Sequence, residues 1–249
     1  MLIKACVNGA RRPAEHPALP VSPAQLAADV AAAAAEGAGA AHLHVKDPFG
    51  GDTFDPGALA EALQQVRQAA PDMPVGVTTG AWALPDPDAR VAAIRSWRVL
   101  PDFASVNWHE DGADAVAAAL IDRGIGVEAG LWHRGGVAAW LGSPYRDHCR
   151  RVLIEVPDRL DEEQTVVEAE LLRRLVRDGV HGHPAASTPV LLHGEGNSCW
   201  PVLRLAVRRG LDIRIGLEDT LQMPDGSLAP GNAALVAAAR LIAATRPDR

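Results

Sequence analysis

Short apolar runs alternate with longer stretches whose apolar positions recur every three to four residues, from one end of the chain to the other. The first pattern is that of buried strands, the second that of amphipathic helices. Strands are predicted over 2–8, 40–45, 74–79, 103–107, 126–131, 152–156, 189–193 and 213–217. Helices are predicted over 23–36, 56–70, 86–97, 113–123, 135–141, 162–178, 199–210 and 232–244. The punctuation agrees with the pattern: Asn8-Gly9 turns the chain after the first strand, and Gly37 and Gly39 stop the first helix. Ser22-Pro23 opens that helix, with a hydroxyl to cap it and a proline at its first position.

Eight strand–helix units in a chain of 249 residues fit a closed (β/α)8 TIM barrel, an α/β fold, forming a single domain over 1–249. The weakest strand is 152–156. Without it seven remain, and an open doubly wound sheet becomes the alternative.

Composition narrows the class of function. With 24 Lys+Arg against 31 Asp+Glu the net charge is −7, which offers no overall attraction for nucleic acid or an anionic membrane. No apolar run approaches the roughly 20 residues of a membrane span. The opening MLIKACVNGARR turns polar too soon for a signal peptide, so a cytoplasmic location is expected. Cys6, Cys149 and Cys199 are too few and too scattered for a disulfide framework or a cysteine-only zinc site.

In a barrel of this kind the chemistry collects at the C-terminal ends of the strands. Read that way, the ends carry Asn8, His42 and His44, Thr78-Thr79-Gly80, Ser105 and Asn107, Glu128, His193 and Glu195, and Glu218-Asp219. His42 and His44 are two apart on a strand, so both rings leave the same face about 6–7 Å apart, close enough to meet one ion. Neutral imidazole is a favoured ligand of zinc and similar metals, and a carboxylate from another strand completes a three-ligand site. Glu218 is the candidate carboxylate. Asp219 follows it, displaced into the loop, where it can pair with Arg214, inward-facing by parity. Such a pair beside a metal is a candidate positioned base, and a structural salt bridge is the alternative.

Thr78, Thr79, Ser105 and Asn107 offer hydroxyl and amide groups suited to orienting a carboxylate or carbonyl. His109, Glu110 and His133 lie just past strand ends as supporting groups. Trp82, Trp108, Trp132 and Trp200 follow strands and suit either an aromatic wall or packing. The turn Gly194-Glu195-Gly196 could cradle a phosphate, although Glu195 opposes an anion. The second His-x-His, His181-Gly182-His183, lies in a Gly/Pro/Ser stretch and reads as solvated surface.

Taken together, NGAR, HPALPVSPAQLA, GAGAAHLHVKDPFG, VTTGAW, FASVNWHE, GVEAGLW and IRIGLEDT resemble the β-keto acid cleavage enzymes over nearly the whole chain. The resemblance implies a (β/α)8 barrel with one zinc ion on His42, His44 and Glu218. It implies an Arg214–Asp219 pair that assists deprotonation, and Thr78, Thr79, Ser105 and Asn107 near the keto acid. The implied reaction takes a β-keto acid and acetyl-CoA to acetoacetate and the acyl-CoA of the remaining fragment, in a homo-oligomer, dimer or tetramer. Two departures stand out. A family member that handles an amino substrate has a glutamate after the NGA-like turn, where this chain has Arg11. That change points to a neutral or anionic β-keto acid, with Arg11 or Arg12 as carboxylate partner and Glu15 close by. The chain is also short for the family, and 152–157 reads as trimmed, which bears on how CoA is held.

Other classes remain in view from the residues alone. A metal-dependent hydrolase of the amidohydrolase kind also uses His-x-His in a barrel, but its pair follows the first strand. A metal aldolase would release free products without CoA. A non-catalytic barrel binding metal or acyl-CoA would have Glu218 or Asp219 facing away from the histidines.

Overall fold

The computed structural model describes residues 1–158 and 161–245. Its elements alternate without exception: β1 (Ile3–Cys6), α1 (Pro23–Ala35), β2 (Ala40–Leu43), α2 (Pro56–Ala69), β3 (Val75–Thr78), α3 (Pro87–Ser96), β4 (Phe103–Asn107), α4 (Ala113–Asp122), β5 (Gly126–Leu131), α5 (Arg134–Gly142), β6 (Cys149–Val156), α6 (Glu162–Gly179), β7 (Val190–Gly194), α7 (Cys199–Arg209), β8 (Ile213–Ile215) and α8 (Asn232–Ala244). The strands pair in parallel in the order β7-β6-β5-β4-β3-β2-β1-β8. The remaining seam, between β7 and β8, is bridged just before β8, where Leu192 N donates to the Asp212 carbonyl at 3.0 Å and Asp212 N to that of Val190 at 3.1 Å. The result is the expected (β/α)8 barrel.

Local chemistry sets the helix starts. Ser22 Oγ accepts from Gln25 N while Gln25 Oε1 accepts from Ser22 N, a reciprocal cap ahead of Pro23. Asp55 and Asp86 cap α2 and α3 with their carboxylates alone, Asp55 accepting from Gly57 N and Ala58 N and Asp86 from Asp88 N, each ahead of a proline. Among the described residues no helix is long and apolar enough to cross a membrane.

Each strand has two unlike faces. Ala5, Val7, Leu43, Val77, Val106, Leu131, Ile154 and Ile215 face outward into one hydrophobic layer shared with the helices. Burying such side chains stabilises by roughly 1.5–3 kcal/mol each. The alternate residues line the interior, and many are polar or charged: Lys4, His42, His44, Thr78, Asn107, Glu128, Glu155, His193 and Arg214 are all buried. Close packing inside is made possible by Gly76, where a Cβ would fall 1.9 Å from Cε2 of the Phe103 ring.

Strand β6 is longer than its apolar run predicts: it begins at Cys149, three residues before 152, and spans eight residues to Val156. Arg150 and Arg151 disguise it. Arg151 enters the interior and pairs with Glu128 at 2.9 Å and Asp212 at 3.3 Å, so a charged residue occupies an interior strand position.

Candidate active site

The C-terminal ends of the strands surround a cavity of about 440 Å³. β1 and β2 supply Arg11, Glu15, His42 and His44 to its wall; β3 and β4 supply Thr78, Trp82, Ser105 and Asn107. Gly130, Trp132, Leu153, Glu155 and Asp158 follow from β5 and β6, and Glu195, Arg214 and Glu218 from β7 and β8.

His42, His44 and Glu218 converge: one ligand atom from each lies within 4.8 Å of the others. The two rings stand nearly perpendicular with centroids 5.3 Å apart. His44 Nδ1 donates to Asp52 Oδ2 at 2.8 Å, which leaves Nε2 directed toward Glu218 Oε1 at 3.8 Å. His42 Nδ1 and Glu218 Oε2 are buried with no partner among the described residues. Unpaired buried polar atoms are costly, and two imidazoles with a carboxylate suit a first-row divalent ion. The donor set therefore fits a metal. Burial holds the His42 imidazole neutral, its pKa lowered to about 3. Glu218 is held ionised: burial would raise it, but the Arg214 guanidinium brings it down to about 2.

The backbone arranges this locally. Strand β8 ends at Ile215, so Glu218 and Asp219 occupy a turn and both carboxylates reach the Arg214 guanidinium. Arg214 Nη2 donates to Glu218 Oε1 at 2.9 Å and to Asp219 Oδ1 at 2.6 Å, and Nε donates to the same Asp219 oxygen at 3.0 Å. Gly9 makes room for this turn: it sits at φ +56°, and a Cβ there would fall 2.5 Å from Glu218 Cγ. Asp219 Oδ2 is buried and unpartnered among the described residues. Burial pushes Asp219 up to about 7, against the pull of Arg214.

Other predicted residues divide. Thr78, Ser105 and Asn107 line the cavity. Thr79 does not, because adjacent strand residues face opposite ways; its hydroxyl donates to the Ser105 carbonyl at 2.6 Å. Arg11 reaches the wall, with Nε on the Leu217 carbonyl at 2.5 Å and Nη1 on Glu15 at 3.1 Å. Glu110 supports the site by accepting from Asn107 Nδ2, Arg90 Nη1 and Ala81 N, each at 2.9 Å. His109 and His133 are exposed on the rim, the His109 ring 4.8 Å from that of Trp132.

Glu128 lies deeper than a strand end, three residues before β5 finishes, and is spent on Lys4 and Arg151. His193 is also submerged, 3.4 Å from Glu155 Oε2 and 3.8 Å from Asp219 Oδ1. Trp82 and Trp132 border the cavity, whereas Trp108 and Trp200 are buried, with their indole nitrogens on Asp114 and the Gln222 carbonyl. The Gly194–Gly196 turn is not a phosphate cradle: Gly196 N donates to the Asp219 carbonyl and Asn197 N to Asp158, both at 2.8 Å. His181 and His183 are exposed, as expected.

Two residues escaped the strand-end reading. Asp52 sits in the loop after β2, where aspartate is an ordinary turn residue. Glu155 hides in the apolar run Leu153–Val156, yet faces the cavity with Oε1 unpartnered among the described residues. Burial pushes its carboxyl well above the usual range, with Glu195 adding to the rise against the pull of Arg214.

Comparison with known proteins gives this arrangement a context. The chain is 25% identical over 251 aligned positions to a 3-keto-5-aminohexanoate cleavage enzyme of Fusobacterium nucleatum, an alignment covering 95% of this chain and 88% of that protein. A 69-residue stretch is 42% identical to a 3,5-dioxohexanoate:acetyl-CoA acetone transferase of Paraburkholderia graminis, covering 27% of this chain and 22% of that one. Among solved structures, ObcA in ternary complex with a C4-CoA adduct and oxalate superposes with a TM-score of 0.68 at 18% identity. That match covers 90% of this chain and 63% of ObcA, and is a likeness of fold. The family model described as beta-keto acid cleavage enzyme matches residues 1–121 and 163–247. Those two segments hold both histidines, the Arg214–Asp219 turn and most of the barrel, and with most of its length matched the chain belongs to the β-keto acid cleavage enzyme family.

Proposed function

We propose that this enzyme condenses a β-keto acid with acetyl-CoA and cleaves the product to acetoacetate and the acyl-CoA of the remaining fragment, with one divalent ion, zinc in our reading, held by His42, His44 and Glu218. The observation that carries this reading is the convergence of those three groups beside a buried carboxylate, Asp219, with one oxygen tied to arginine and the other unpaired among the described residues.

A bound ion would supply Lewis acidity at the keto oxygen and so acidify the adjacent carbon. Asp219 is the base that takes that proton through Oδ2, while Arg214 fixes the carboxylate through Oδ1. The deprotonated carbon attacks the acetyl thioester and CoA leaves as the thiolate. Return of the sulfur to the other ketone breaks the carbon–carbon bond, and Asp219 returns its proton to the acetoacetate carbon. Thr78 Oγ1 accepts from Gly80 N at 3.1 Å, which frees its own O–H to donate to substrate. Asn107, held by Glu110, and Ser105 add donors on the same side, and Arg11 is the candidate partner of the substrate carboxylate.

The test is incubation of metal-loaded protein with acetyl-CoA and pooled β-keto acids, followed by mass spectrometry. Acetoacetate together with a new acyl-CoA is expected. Keto-acid consumption that does not require acetyl-CoA would instead point to an aldolase.

A further inference from the structure

Asp52 is 5% exposed at its side chain and uses both oxygens. Oδ2 accepts from His44 Nδ1 and from Trp82 Nε1, both at 2.8 Å. Oδ1 accepts from Lys46 Nζ at 2.5 Å, and the same ammonium donates to the carbonyls of Gly9 at 2.7 Å and Arg11 at 3.1 Å. One carboxylate thus joins the loops that follow β1, β2 and β3. Above it the Trp82 indole stacks on the His44 ring, centroids 5.8 Å apart and planes 13° from parallel.

An ionised carboxylate can only accept, so His44 Nδ1 must carry the proton and Nε2 must present its lone pair. Nε2 is the atom that faces Glu218. The opposite neutral tautomer would place a proton where an ion has to bind. We propose that Asp52 is a positioning residue that fixes the tautomer and ring plane of His44 and thereby sets the affinity of the His42–His44–Glu218 site for a divalent cation. The inference rests on the metal-site reading above. Lys46 supplies the positive charge that keeps the carboxylate in place, and Trp82 closes the open face of the ring.

The experiment uses the full-length metal-free chain, titrated with Zn²⁺ against a chromophoric chelator and with Co²⁺ followed by its visible absorption. Loss of such an outer partner typically weakens metal binding 10–100-fold, and that loss is expected for Asp52→Asn. The asparagine must either turn its NH₂ toward Lys46 or donate to His44 Nδ1 and reverse the tautomer. Asp52→Glu keeps the charge beside Lys46 but moves the oxygen away from Nδ1; it should show a loss in the same range with an altered cobalt spectrum. Unfolding midpoints of the metal-free proteins separate a folding defect in Asp52→Asn from a loss of affinity, and Asp52→Glu carries the test if that defect is large. Equal affinities for the original chain and both Asp52 variants would overturn the proposal. A chain that binds neither ion would instead remove the metal site itself.

Discussion

At the other end of the barrel interior from the histidines, Lys4, Glu128 and Arg151 form an ion-pair chain that can be tested quantitatively. Lys4 and Glu128 are fully buried and 2.6 Å apart; the second Glu128 oxygen meets Arg151 at 2.9 Å. Glu128 is the one hydrogen-bond acceptor that Lys4 has among the described residues. Glu128→Gln therefore leaves an ammonium buried beside a neutral amide. Breaking a buried pair costs about 3–5 kcal/mol. Lys4→Met is milder, because its stem still packs near Phe103 and Glu128 keeps Arg151; about 1.5–3 kcal/mol is expected. The double variant should lose less than the two single losses combined. Urea unfolding at pH 7 measures all three, and for a chain of this size a loss of 3 kcal/mol should lower the melting temperature by roughly 6–12 °C. The pH dependence has a definite sign. Burial would raise the Glu128 pKa, but Lys4 and Arg151 hold it below the usual carboxylate value. Its contribution is therefore present above the unfolded value of about 4.3 and fades as pH falls through the folded one, so the gap to Glu128→Gln narrows in acid. A Glu128→Gln protein within about 1 kcal/mol of the original at pH 7, or strictly additive losses, would refute the reasoning.

Three further outcomes are expected. Asp219→Asn should lower kcat by about 10²–10⁴ with little change in KM, since it removes a base while keeping the shape; coupled-assay kinetics check this, and a loss confined to KM would contradict the assigned role. Asp29 accepts from Asn232 Nδ2 at 2.5 Å, and burial raises its pKa to about 6. Its folded form gains stability at low pH that is lost as pH rises through about 6, so Asp29→Asn should match the original near pH 4 and exceed it by about 1–2 kcal/mol at pH 8, measured by denaturant titration. Gly76→Ala forces the Phe103 ring to move and should cost about 1–3 kcal/mol, read from the shift in unfolding midpoint.

Much of the architecture was legible because each element carried its own signals. The limits of β4 and β5 follow directly from their apolar runs, and those of α1 from Ser22-Pro23 and the glycines beyond it. Parity placed His42, His44 and Arg214 inside. The choice of strand end misled at Glu128, which faces the interior but lies three residues short of the end of β5, and one role was assigned to the neighbours Thr78 and Thr79, which face opposite ways. Strand β6 and Glu155 were obscured by the same cause: charged residues at interior positions, which a barrel lined with polar groups permits but a hydrophobicity pattern counts against. Asp52 was invisible for a different reason. Its role exists only once the loop after β2 folds back over His44, a contact with no periodicity to announce it.

The two segments that match the family carry the metal-binding candidates, the Arg214–Asp219 turn and the Thr78, Ser105 and Asn107 donors. The interval between them, 122–162, contributes Gly130, Trp132, Leu153, Glu155 and Asp158 to the cavity wall. Strand order sets that arc, on β5 and β6, across the cylinder from β1 and β2. The molecule is thus divided around its circumference: six strands that follow the common pattern face an arc of two strands that does not. A chimera exchanging only that arc with a relative would ask whether the choice of acyl chain travels with it while the bond-breaking apparatus stays behind.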